Sequence, residues 1–111
     1  MLSNPIDVNE LLEIMDDDDD LVKECFADFI DDCGNMLGLI ESAIENGDSE
    51  EVEKSAHALK GSLIYLAASK AADIAYKIEM MGRKGDIQNA PAIFNDLTDA
   101  CEKVKDFMRS Y

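Results

Sequence analysis

The chain has 111 residues, a mass of 12.3 kDa and 47% hydrophobic residues, enough for one domain, 1–111, around a single core and too little for two. Twenty-five acidic against ten basic residues give a formal charge of −15 and a pI of about 4.1, the reverse of what binding a phosphate backbone requires, so nucleic acid is excluded as the expected partner. The longest unbroken apolar stretch, Leu63 to Ala68, is too short to cross a bilayer, and no secretory pattern follows Met1; the expected location is the cytoplasm, with no membrane partner.

Asn4-Pro5 followed by Asp7-Val8-Asn9-Glu10 carries N-cap and capping-box chemistry, and Leu11, Leu12 and Met15 then form a short apolar stripe, which predicts a short first helix. Asp16 to Asp20 are five consecutive acids that no core accepts, and they lack the interleaved spacing of a calcium loop. They predict a solvated turn leading into a new helix, whose positive end they complement. Val22, Cys25, Phe26, Phe29, Ile30, Cys33, Leu37, Ile40 and Ile44 recur at helical steps and predict the longest helix, stopped by Asn46-Gly47.

Asp48 with Glu51 restarts the chain as a third helix, expected from about Ser49 to about Ala68 with Val52, Ala56, Leu59, Leu63 and Leu66 inward. Ser69 is the expected N-cap of a fourth, whose stripe is Ala71, Ile74, Ala75, Ile78 and Met81 and whose end is marked by Gly82 and Gly85. The last helix is expected to begin between Asp86 and Pro91 and to carry the apolar residues Ile93, Phe94, Leu97, Cys101, Val104, Phe107 and Met108. Every period is near 3.6 and none is near two. The expected fold is therefore all-α, an antiparallel four-helix bundle with a short N-terminal capping helix, and no internal repeat. Cys25, Cys33 and Cys101 are odd in number, lie in apolar stripes and lack CxxC spacing, so they are expected to be reduced core thiols. The methionines are expected to fill core space and not to bind metal.

The third helix has a second stripe that packing does not require. At 100° per residue His57, Lys60, Gly61, Ile64 and Ala68 centre roughly 130° from the inward positions. His57 is the single histidine of the chain, and Gly61 at mid-helix costs about 1 kcal/mol relative to alanine, so its presence invites a reason such as close approach of another molecule. Between Lys54 and Lys84 six basic and two acidic residues give +4, while the remainder carries −19. A chain this acidic has gathered most of its cations in the segment around one exposed imidazole, as a group that becomes negatively charged on phosphorylation would require.

Ser55-Ala56-His57-Ala58-Leu59-Lys60-Gly61-Ser62 resembles the motif of histidine-containing phosphotransfer (HPt) domains, and Ile78-Glu79-Met80-Met81-Gly82-Arg83-Lys84-Gly85-Asp86 is similar to the segment that follows it in that family. Ala67 departs from the pattern, since many members have Gly there. The resemblance implies a phosphorelay carrier in two-component signalling, a monomer and not an enzyme. His57 would accept a phosphoryl group from an aspartyl phosphate on one receiver domain and pass it to another. It further implies attack by Nε2 with Glu79 orienting the ring through Nδ1, charge stabilisation by Lys60 and Arg83, and clearance and docking of the receiver at Gly61 and Ile64. No metal or cofactor is expected on this chain; magnesium would belong to the receiver.

Two plainer readings compete with this. Glu79 could form only a surface i,i+4 pair with Arg83, worth roughly 0.3 to 0.5 kcal/mol. The domain could be an acidic helical adaptor that binds a partner through the same face without phosphorylation. An enzyme in its own right is disfavoured, because the sequence has no phosphate-binding glycine loop, metal-ligand cluster or nucleophile–base pair.

Overall fold

The computed structural model describes residues 4–111, and the reading of the segment after Met1 falls partly outside the described residues. These residues form five helices and no strand: α1 (Val8–Ile14), α2 (Asp19–Glu45), α3 (Ser49–Tyr65), α4 (Ser69–Lys84) and α5 (Ala90–Ser110). Helices α2 to α5 are the antiparallel four-helix bundle, each packed on its two neighbours in the order α2, α3, α4, α5 and back to α2, and α1 lies against α2. At 1.5 Å per residue the 27-residue α2 is about 40 Å long, which accounts for the 41 Å long axis of the molecule.

Acidic residues start three of the helices. Asp7, Asp18 and Asp48 each accept a hydrogen bond from the backbone N–H three residues on, at 3.1 Å, satisfying a donor that the first turn leaves unpaired. The capping box expected at Asp48 is half formed, for the Glu51 carboxylate accepts from Ser55 Oγ at 3.2 Å. Within the acidic run Asp16 and Asp17 take left-handed φ values of 51° and 57°, a conformation aspartate tolerates, and Asp19 and Asp20 enter the first turn of α2. All five side chains are exposed, as solvated charges must be.

The core follows the apolar stripes. Val22, Phe26, Phe29, Cys33 and Ile40 of α2 meet Val52, Ala56, Leu59 and Leu63 of α3, Ala71, Ala75 and Ile78 of α4, and Leu97, Cys101 and Val104 of α5. Cys33 and Cys101 are buried free thiols, and Cys101 is held well above the ordinary thiol range by its hydrogen bond with Cys33 and by burial, so it stays an S–H group. Cys25 is only half-buried. Tyr111 closes the bundle at one end, its hydroxyl donating to Asp19 Oδ1 at 2.6 Å and its ring standing edge-on to Phe26.

Three expectations around the α3–α4 turn are corrected. Helix α3 ends at Tyr65, not Ala68, because Ala67 turns left-handed with φ 58° while its carbonyl accepts from the Asp7 N–H at 3.0 Å. That geometry explains why glycine suits this position, and alanine bears roughly 1–2 kcal/mol of strain there. Ala68 is fully buried and leaves the outward stripe, because the chain has already turned towards α4. It is also Ala68, with no side-chain bond, that caps α4, and Ser69 is its first helical residue.

The fourth correction concerns the glycines. Gly85 ends α4 with φ 72°, but Gly82 is inside the helix and buried. A Cβ on Gly82 would stand 2.5 Å from the Glu53 backbone nitrogen and 2.7 Å from the Ser49 carbonyl oxygen. The missing side chain is what lets α4 lie on the first turns of α3. A Cβ on Gly61 meets nothing within 4 Å. The two positions should therefore respond oppositely to alanine: Gly82→Ala should destabilise by about 1–3 kcal/mol through forced backbone separation, and Gly61→Ala should stabilise by up to about 1 kcal/mol. Urea unfolding of both variants checks the pair of signs.

Candidate functional site

Lys60 and His57 project from α3 towards the face of α4 that carries Tyr76, Glu79 and Arg83. Spacings of three and four residues put those three side chains in one direction on α4. The centre of the group is Glu79, whose side chain is 2% exposed although it is an acid on the edge of a small bundle. His57 Nδ1 lies 2.9 Å from Glu79 Oε2, and since a carboxylate only accepts, Nδ1 is the donor. The imidazole itself is 66% exposed, and its other nitrogen, Nε2, lies across the ring from this contact.

Glu79 serves two further cations. Lys60 Nζ sits 2.7 Å from Oε1, which has no other partner among the described residues. Arg83 Nη2 donates to Oε2 at 3.4 Å, while its Nε donates to Glu53 Oε2 at 2.8 Å. Burial alone would raise the Glu79 carboxyl, but the hydrogen-bonded Lys60 ammonium and His57 outweigh it and hold the group below the ordinary glutamate value. The Lys60 side chain is 18% exposed and its ammonium lies 5.0 Å from the centre of the Tyr76 ring, so it is neither a solvated lysine nor a free one.

The surface-pair reading of Glu79 fails on this burial: Arg83 does reach it, but as the longest of three contacts to a carboxylate enclosed by two helices. The structure thus brings His57, Lys60, Glu79 and Arg83 into one connected group. Gly61 is one turn beyond His57, and Ile64, 54% exposed, borders a groove of about 380 Å³ shared with Lys60, Ala72 and Tyr76. Among the described residues no three His, Cys, Asp or Glu side chains converge as a metal site, and no helix is long and apolar enough to cross a membrane.

Two members of the group escaped the sequence reading. Tyr76 could have been found from its three-residue spacing to Glu79. Glu53, 30 positions before Arg83, carried no signal, because only the close approach at Gly82 brings the two together.

With this geometry in view, the comparisons with known proteins are specific. A family model for the Hpt domain matches residues 24–107. The chain belongs to the Hpt domain family, the histidine phosphotransfer intermediates of two-component phosphorelays. Among solved structures it is similar to histidine-containing phosphotransfer protein B (HptB) from Pseudomonas aeruginosa PAO1, with a TM-score of 0.90 over 98% of this chain and 95% of that one. The sequence identity is 21%, so that likeness is one of fold. Comparison with curated proteins gives no match.

The depressed carboxyl of Glu79 gives a pH dependence with a definite sign. A group whose folded value lies below its unfolded one contributes stability that is present above the unfolded value and lost as pH falls through the folded one. Glu79→Gln should therefore be less stable than the wild type at pH 7, by roughly 1–3 kcal/mol, because Lys60 loses its counter-charge. The difference should shrink as the pH falls below about 4, in the ordinary carboxylate range and beneath it. Urea midpoints of both proteins from pH 7 to pH 3 measure it; a difference independent of pH would remove the ionised carboxylate from the account.

Proposed function

We propose that this chain carries a phosphoryl group between receiver domains on His57 Nε2, taking it from the aspartyl phosphate of one receiver and giving it to the aspartate of another. The observation that carries this reading is an exposed imidazole whose Nδ1–H is bound at 2.9 Å by a buried carboxylate. With the proton on Nδ1 the lone pair stands on Nε2, where a partner protein can reach it. In the transfer the Nε2 lone pair forms the bond to phosphorus, the bond between phosphorus and the aspartyl oxygen breaks, and the aspartate leaves with that electron pair as a carboxylate. The ring becomes positive as it attacks, and the Glu79 carboxylate at Nδ1 meets that charge. The reverse sequence, onto a second receiver, uses the same contacts.

Lys60 and Arg83 set two cations beside the imidazole, and their field offsets the charge of the arriving phosphoryl group. Gly61 leaves open space one turn from His57, and exposed Ile64 offers an apolar contact to the docking receiver. Magnesium and the acidic pocket for transfer belong to the receiver. All residues of the group come from α3 and α4 of one chain, so a monomer suffices, and the domain acts as a co-substrate and not as an enzyme.

Incubation with phosphorylated receiver domains should label the wild type with acid-labile phosphate, and His57→Gln should abolish the label with little change in melting temperature. Receiver binding without labelling would favour the adaptor reading. Glu79→Ala should slow transfer, and Glu79→Gln should slow it less, since the amide oxygen can still accept from Nδ1. Gly61→Gln should exchange phosphate poorly with receivers, remain as stable as the wild type or become more so, and accept label from the small donor phosphoramidate at the wild-type rate. Undiminished exchange between receivers and Gly61→Gln would remove the docking role of this surface.

A further inference from the structure

Lys60 lies between two groups of different kinds, the Oε1 of buried Glu79 at 2.7 Å and the face of the Tyr76 ring at 5.0 Å from its centre. The ring belongs to α4, three residues before Glu79, and is itself 47% exposed, so it covers the ammonium from the solvent side of the α3–α4 seam. Oε1 has no hydrogen-bond partner in regular geometry, and the Lys60 ammonium is the cation paired with it among the described residues. If Lys60 swung out to solvent, Oε1 would be left buried without a donor, and the carboxyl would gain by taking up a proton. That proton would sit on Oε1, away from the ring, and a neutral carboxyl is a weaker acceptor at Oε2, so the hold on Nδ1–H relaxes and the ring proton moves in part to Nε2. The lone pair of that tautomer is on Nδ1, the wrong nitrogen for attack. The state of Oε1 on one side of the carboxylate therefore decides the tautomer of the imidazole on the other.

We propose that Tyr76 is a positioning residue for phosphoryl acceptance: its ring seats the Lys60 ammonium on Glu79 Oε1 and thereby keeps the His57 proton on Nδ1 and the lone pair on Nε2. The proposal rests on the reading of His57 as the acceptor for its consequence in transfer, but the tautomer itself is a property of the unphosphorylated domain. Among the described residues the charged groups that reach Glu79 are His57 and Lys60 from α3, and Arg83 from α4, itself bound to Glu53 of α3. Tyr76 touches none of the reacting atoms.

Tyr76 also borders the groove beside Ile64, so a loss of exchange with receivers alone would not separate positioning from docking. The decisive readouts need no protein partner. Nitrogen-15 spectra of the His57 ring distinguish Nδ1–H from Nε2–H in the free domain, and phosphoramidate tests the nucleophile with a donor that needs no protein-sized docking surface. Tyr76→Leu should lower the Nδ1–H fraction and slow phosphoramidate labelling by roughly two- to fivefold, the range expected for loss of one cation–π contact. Tyr76→Phe, which keeps the ring face, should restore both. Lys60→Met should lower both at least as far, and adding Tyr76→Leu to it should change nothing more.

An unchanged tautomer in Tyr76→Leu overturns the proposal, as does a failure of Tyr76→Phe to restore it or a further loss in the double variant. If phosphoramidate and phosphorylated receivers both leave wild-type His57 unlabelled, the carrier function fails, and the tautomer measurement still decides the role of Tyr76. Melting curves recorded on each variant identify any loss that comes from unfolding.

Discussion

A carboxylate withdrawn from water has to be met by donors, and the α3–α4 face of this domain is organised around meeting that need for Glu79. Three cationic or potentially cationic side chains converge on it, His57 and Arg83 at Oε2 and Lys60 at Oε1. Each is fixed by the contact. The imidazole is aimed because its Nδ1 has one acceptor to face, the lysine is drawn out of solvent, and the arginine is shared with Glu53. The arrangement that balances a buried charge is therefore also the arrangement that holds an exposed imidazole by its Nδ1.

This balance depends on how closely two helices approach. Helix α4 turns Ala72, Ala75 and Gly82 into the bundle on the flank near Glu79, and α3 answers with Ala56, so the seam contains little side-chain bulk. Gly82 is the extreme case, with no room for even one methyl group against the Glu53 and Ser49 backbone. Gly61, on the outer side of α3, is open for the opposite reason: nothing of this chain covers it. Two glycines on neighbouring helices thus have unlike surroundings, one admitting a helix of the same molecule and the other open on the outer side of its own.

The remaining acidity has its own physical logic. Many acids lie at helix starts, where a carboxylate satisfies backbone donors and opposes the positive end of the helix dipole, as Asp7, Asp18 and Asp48 do. The others are solvated on outward faces. The Lys54 to Lys84 window carries +4 against −19 elsewhere, and beside His57 the cations Lys60 and Arg83 are met by Glu79 and Glu53.

The number and order of the helices, their apolar stripes and the acidic caps were legible in the sequence, because each depends on residues within a turn or two of one another. The exposure of His57 was legible for the same reason, since its angle from the stripe of Val52, Ala56, Leu59 and Leu63 is a property of one helix. Local chemistry misled at the α3–α4 turn, where Ser69 had the better capping side chain but the left-handed Ala67 and its bond to Asp7 set the helix ends. The burial of Glu79 was decided only in the tertiary structure. A glutamate four residues before an arginine has the same local pattern on a surface as in a seam, and the partners that distinguish the two are His57 and Lys60, 22 and 19 positions away. Which rotation of α4 meets which rotation of α3 is fixed by the summed packing of all four helices and by the missing side chain at Gly82. Periodicity along the chain records which face of a helix is buried, and carries no record of what that face is buried against.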